Sequence, residues 1–218
     1  SKYAKTYLKY YEGASLTSIY GMKSLGISLT NGKEIYLRRN GDVTDVWSAD
    51  EWTIIGDTAP KGQGSFGYTL SYKQLSMFAS FLYTFGGDAY NNTLVSYVEN
   101  ADIKNDNVDK RVLLDRWQKP GDITDVPKIM WDQQIRVTDQ DLINASYFAI
   151  KNITLGYSLS KKWLQKIKME NIRVYATADN IALFTHLKGM DPQYNFTGTV
   201  GYTYAPTKTF SLGIDIKF

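Results

Sequence analysis

The last nine positions of the chain alternate without a miss. Phe210, Leu212, Ile214, Ile216 and Phe218 share one parity, while Ser211, Gly213, Asp215 and Lys217 share the other. This period of 2 predicts a β-strand with one apolar and one polar face. The same rule picks out earlier strands. Between about Asn171 and Thr185, Ile172, Val174, Ala176 and Ala178 oppose Arg173, Tyr175, Thr177 and Asp179. From Asn152 to Ser160, Ile153, Leu155, Tyr157 and Leu159 oppose Asn152, Thr154, Gly156 and Ser158. Phe148 and Ile150 fall on the other parity, which predicts a β-bulge near Lys151. Further back, Phe66, Tyr68, Leu70 and Tyr72 alternate with Ser65, Gly67, Thr69 and Ser71. A two-residue break at Lys73 and Gln74 leads into Leu75 to Phe85, apolar on both faces, so this pair predicts a hairpin.

Connections between these strands alternate in length. The Lys73–Gln74 turn is tight, and Ser160 to Glu170 (SKKWLQKIKME) is a compact, basic, amphipathic turn carrying Trp163, Leu164 and Ile167. Gly86 to Ala145 is about 60 residues long and His186 to Lys208 about 20, both rich in Asp, Asn, Gly, Pro and Tyr, whereas loops of that length are uncommon in compact soluble domains. Short turns at one end and long loops at the other are the pattern of an outer-membrane β-barrel. A soluble β-sandwich also alternates, so period 2 alone leaves both readings open. Phe210 and Phe218 bracket the last apolar face. Eight steps of ~3.3 Å tilted by ~40° cover about 20 Å of height, close to the ~25 Å apolar band of barrels. About five strands are clear in the pattern, and the first 60 residues, with Thr30 to Glu34 (TNGKE) as a candidate hairpin turn, read mainly as loop. Closure needs about eight strands or more, so the expectation is an arc of a larger barrel.

Composition changes this picture in three ways. Aromatic residues make up 14% of the 218, a content that suits interfaces, glycan sites and membrane belts alike. The net charge is only +3 with scattered Lys and Arg, so no nucleic-acid footprint is present. There is no Cys, which excludes disulfides and thiolate metal sites. No apolar run reaches the ~20 residues of a membrane helix, and Ser1 to Tyr11 lacks the apolar core of a signal peptide.

Several blocks carry a family likeness. Ser146 to Asn195 (SYFAIKNITLGYSLSKKWLQKIKMENIRVYATADNIALFTHLKGMDPQYN) and Tyr204 to Phe218 (YAPTKTFSLGIDIKF) resemble the C-terminal end of SusC/RagA-type TonB-dependent outer-membrane transporters. Tyr10 to Tyr36, Ile55 to Ser76, Phe85 to Leu94 and Asp115 to Ile129 resemble the same family in the same order. The resemblance implies an all-β fold: the C-terminal arc of a large, 22-stranded antiparallel transmembrane barrel with long extracellular loops and short periplasmic turns. Residues 1–63 would be mainly extracellular loop and hairpin, 64–218 barrel strands and loops, and the plug domain would lie outside this sequence. It implies import of glycans or oligopeptides with a SusD-like surface lipoprotein, energised by TonB through the missing N-terminal part. Further partners would be the rest of the transporter and outer-membrane lipid. The alternatives are a soluble β-sandwich that binds carbohydrate and a small autonomous porin.

On that resemblance Phe210, Leu212, Ile214, Ile216 and Phe218 face lipid and end in an aromatic assembly signal, with the C-terminus in the periplasm. Ser160 to Glu170 and Lys73–Gln74 are then periplasmic, and Gly86 to Ala145 and His186 to Lys208 extracellular. Arg173, Asp179, Asp215 and Lys217 would line the lumen. Trp47, Trp52, Trp117, Trp131, Tyr194 and Tyr202 are candidate contacts for substrate or lid, because aromatic faces give large contact area at low entropic cost; their other role is packing the loops on themselves. No catalytic constellation stands out, so no enzyme and no cofactor is expected. His186 reads as a surface residue, and Asp102 to Asp109 (DIKNDNVD) as a solvated loop, since it lacks the spacing of a Ca²⁺ loop.

Overall fold

The alternating segments pair with one another. In the computed structural model, which describes residues 12–105, 107–129, 136–187, 191–194, 199–200 and 206–218, the early strands are β1 (Ser18–Gly21), β2 (Lys23–Ile27), β3 (Glu34–Leu37), β4 (Val43–Thr44) and β5 (Thr53–Asp57). The later ones are β6 (Gly62–Tyr72), β7 (Leu75–Phe85), β8 (Asp88–Asn91), β9 (Leu142–Asn144), β10 (Tyr147–Ser158), β11 (Asn171–Thr185), β12 (Thr199–Val200) and β13 (Thr209–Lys217). Five of them form one antiparallel sheet in the order β13-β11-β10-β7-β6. These strands run to 9–15 residues, the length a tilted strand needs to cross a bilayer.

Register puts all the apolar parities on one face. Ile214 pairs with Val174, Val174 with Tyr157, Tyr157 with Leu75 and Leu75 with Tyr72. The expected bulge is present. Register shifts between Ile150 and Asn152 against both neighbours, and that extra residue turns Phe148 and Ile150 onto the same face as Ile153 and Leu155. Without it, two large apolar side chains would point to the polar side.

The apolar face is bare. Phe210 is 76% exposed, Leu212 85% and Phe218 82%, and Phe66, Leu70, Tyr72, Leu75, Leu155, Tyr157 and Phe184 are also exposed. A soluble sandwich would lay a second sheet here; among the described residues nothing covers it. The sheet is also open, with β6 and β13 each paired on one side only among the described residues, so these five strands do not by themselves make a closed porin.

The short connections lie where the alternation puts them. Tyr72 pairs with Leu75 across the two-residue turn, in which Lys73 takes a left-handed φ of 52°. The Ser160–Glu170 link holds an α-helix, Lys161–Ile167, closed by Lys168 in the left-handed region. Leu164 is buried, while Trp163 and Ile167 stay exposed. At the opposite end, segments 12–61 and 86–146 pack into a cap. Thr30 to Glu34 does turn a hairpin: the Ser28 amide donates to Lys33 O at 2.8 Å, and β2 pairs with β3.

The early residues hold more strand than their sequence predicts. Their strands are only 2–5 residues long, and none joins the five-stranded sheet. Some of their partners are remote: β1 pairs with β5, and Met22 bridges to Thr138. A two- to five-residue strand carries too little periodicity to be seen alone.

Candidate functional site

Hydrophobic burial is concentrated in the cap. Tyr90, Val95 and Val137 form one buried cluster, Val98, Val112 and Val126 a second, and Ala89 with Leu187 a third. Beside the second lies a cavity of about 840 Å³ walled by Leu94, Leu114 and Ile123 together with Glu99, Arg116 and Lys119. Its lining mixes both signs of charge with apolar surface, a lining able to receive a polar, chain-like ligand.

Loop tryptophans help to build this cap. Trp117 covers the β2–β3 turn, where Gly32 has φ +68° and where a Cβ would lie 2.4 Å from the indole. Only glycine serves there, for conformation and for space. Trp47 meets Trp52 edge to face at 5.9 Å, and its indole N–H donates to Val137 O at 3.3 Å. Arg39 donates to Trp52 O. All three indoles are half-buried, so their rings serve loop packing and leave part of each ring at the surface. Tyr194 ends a 3-10 turn, Pro192–Tyr194. Trp131 and Tyr202 lie outside the described residues.

The four charged residues expected on the inner wall share the polar face. The Arg173 guanidinium lies 3.8 Å from Asp215 in the paired strand and donates to Ser76 Oγ at 3.5 Å. Asp179 accepts from the Asn152 amide at 2.7 Å, and Lys217 pairs with Glu170 at 2.6 Å. Thr154 and Thr177 hydroxyls bond across the same pair of strands at 3.1 Å. Gly213 leaves room for the neighbouring strand: a Cβ there would meet the Tyr175 ring at 2.3 Å, so the tyrosine lies over the glycine and covers its backbone. These residues form a polar surface spread along the strands, not one cluster.

On the opposite face an aromatic row crosses four strands at the cap end. Phe66, Phe81, Phe148 and Phe184 stand with successive ring centroids 4.9, 5.8 and 6.2 Å apart. In sequence only its parity is visible; the row itself depends on the bulge and the register. The five C-terminal residues Phe210, Leu212, Ile214, Ile216 and Phe218 continue this face, all of them exposed. His186 is exposed just beyond β11. In the Asp102–Asp109 loop, Asp102 accepts from the Lys104 amide and Asp109 pairs with Arg111 at 2.9 Å, as expected of a solvated loop.

One group of residues escapes sequence inspection altogether. Glu34, Glu99 and Asp141 come from three separate segments of the cap and face one another inside it, with Tyr36, Tyr90, Arg116 and Arg136 around them. Asp141 is 1% exposed. Burial, followed by the charges of Glu99 and Glu34, pushes its carboxyl well above the usual range. Burial likewise raises Glu34, and burial with Glu34's charge carries Glu99 to about 7. Arg116 donates to the Val98 and Glu99 carbonyls, bracing that turn. No local motif marks these acids, because their spacing along the chain exceeds 40 residues at each step.

No family model matches the chain. TonB-dependent receptor P3 of Formosa agariphila is 28% identical over 100% of the chain, which covers 22% of that protein. TonB-dependent receptor SusC of Bacteroides thetaiotaomicron is 37% identical over 38% of the chain and 8% of the receptor. Among solved structures, the RagAB peptide importer in its open-open state superposes with a TM-score of 0.81 and 27% identity, covering 97% of the chain and 25% of that structure's chain. A structure of the RagAB peptide transporter gives 0.80 and 31%, covering 92% and 22%. The chain thus spans about a fifth to a quarter of the length of these relatives. In sequence and in fold, this chain is similar over its whole length to TonB-dependent receptors of the SusC/RagA type.

Proposed function

We propose that the chain is the C-terminal arc of a 22-stranded transmembrane barrel in a TonB-dependent outer-membrane transporter, together with much of that barrel's extracellular cap. A single observation carries this reading: a five-stranded antiparallel sheet with one bare apolar face and one hydrogen-bonded polar face. In water such a face, with Phe210, Leu212, Ile214 and Phe218 exposed, would aggregate; in a bilayer it meets lipid, and the polar face meets the lumen. In hydrocarbon the outer edges of β6 and β13 need partner strands, since each unpaired backbone group there costs several kcal/mol. The remainder of the barrel supplies them.

In this role Arg173, Asp179, Asp215 and Lys217 wet the inner wall and face the plug. The cap, with its mixed-charge cavity and the exposed edges of Trp47, Trp52 and Trp117, receives a glycan or an oligopeptide beneath a SusD-like lipoprotein, with TonB acting through the N-terminal part. The similarity to a peptide importer supports the peptide reading of this cargo. The Lys73–Gln74 turn, the Lys161–Ile167 helix and Phe218 share the end opposite the cap, which is periplasmic on this reading.

Labelling on intact cells tests the topology. Cysteines at Asn107 and Asp191 should react with an impermeant thiol reagent, and one at Lys166 should not. Labelling of Lys166 from outside would reverse the orientation, and failure at all three sites in an exposed, folded protein would remove the membrane assignment.

A further inference from the structure

The acidic side chains gathered inside the cap outnumber the guanidiniums around them. Glu34 on β3, Glu99 at the end of the Val95–Glu99 turn and Asp141 in the Asp139–Asp141 turn face two guanidiniums, those of Arg116 and Arg136. Asp139 adds a further carboxylate beside Glu34, and Tyr36 and Tyr90 complete the surroundings. The Glu99 and Asp141 carboxyls face each other across the cap. The Tyr90 hydroxyl donates to Asp141 Oδ2 at 3.5 Å, while buried Asp141 Oδ1 and Glu34 Oε1 meet no N–H or O–H donor. Two ionised carboxylates have only acceptors to offer each other, so a proton between them supplies the donor that this geometry lacks.

We propose that Glu99 and Asp141 share one proton, and that this proton latches the arm of the cap from Asn92 to Val126 onto the segment from Val137 to Asn144, holding the cap together in acid and releasing it as pH rises. Glu99 and Arg116 also wall the 840 Å³ cavity, so release changes the shape of that cavity. Glu99 is only partly buried, which leaves the proton a route to solvent.

Linkage fixes the direction. Burial raises Glu99 to about 7, above the unfolded value of about 4.3, so the neutral form belongs to the latched state. The stabilisation is complete below the unfolded value and is lost as pH climbs through about 7. The two acids titrate as a pair, so the transition belongs to both.

Amide hydrogen exchange on the complete receptor in detergent, corrected for intrinsic pH dependence, tests the latch without reference to cargo or transport. Protection of the 94–101 and 137–144 amides should fall by about tenfold or more between about pH 5 and about pH 8, with β10 and β11 unchanged. Glu99→Gln supplies a permanent donor, and its cap should stay protected across the range; Asp141→Asn gives the same reading if Glu99→Gln does not fold. Equal cap protection of the unmodified protein at the two pH values would overturn the proposal, as would the same pH slope in the folded variant. Either result leaves the transporter reading standing, which rests on the sheet.

Discussion

The sheet and the cap use apolar side chains in opposite directions. In the cap Tyr90, Val95, Val98 and Val137 are wholly buried, as in any domain folded by expulsion of apolar surface from water. In the sheet the large side chains Phe210, Leu212, Ile214 and Leu155 are exposed, and of its apolar residues only Ala79 and Ala149 are buried. The two regions are covalently continuous, so on the proposed reading one chain meets two solvents. The cap is held by its own core. The sheet is held by backbone pairing and by polar bonds such as Asn152 to Asp179 and Thr154 to Thr177, and its apolar face depends on what surrounds it.

Substitutions can break this contrast, and the largest effect falls in the cap. Tyr90→Ala removes a fully buried ring and should destabilise the cap by about 3–5 kcal/mol. Limited proteolysis should then cut within 92–144 while the strand segments of the sheet remain resistant. Simultaneous loss of the sheet would mean that the two regions do not fold by separate rules.

Next in size is a charge placed on the bare face. Ile214→Arg should cost about 2–4 kcal/mol at mid-bilayer, read as a lower urea midpoint for the complete receptor refolded in lipid vesicles. Asp215→Arg, one residue away on the polar face, should leave that midpoint nearly unchanged. Equal losses at the two positions would remove the difference between the faces.

Smaller still is a bond on the polar face. Asn152→Ala deletes the 2.7 Å donor to Asp179 and should lower the same midpoint by the equivalent of about 1–2 kcal/mol. Smallest is the exposed Lys33–Asp45 pair at 2.7 Å. Lys33→Ala should leave the proteolysis pattern of the cap unchanged, because exposed ion pairs contribute little and are screened by salt.

By itself the sequence determined the five long strands, their faces, the bulge at Lys151 and the hairpin turns at Thr30–Glu34 and Lys73–Gln74. Period 2 over nine or more residues is a strong local signal, and a parity slip such as that between Ile150 and Ile153 is the mark of one inserted residue in a strand that keeps its apolar face. The tertiary structure alone decided most of the cap. Most of its strands are two to five residues long, and β1 with β5, β8 with β9 and Met22 with Thr138 pair across large separations, which no local pattern records. The same holds for the acids. Glu34, Glu99 and Asp141 look like ordinary loop carboxylates in the chain, and only packing removes them from water and sets them against one another, because desolvation and mutual repulsion are properties of the enclosed space and not of the residues.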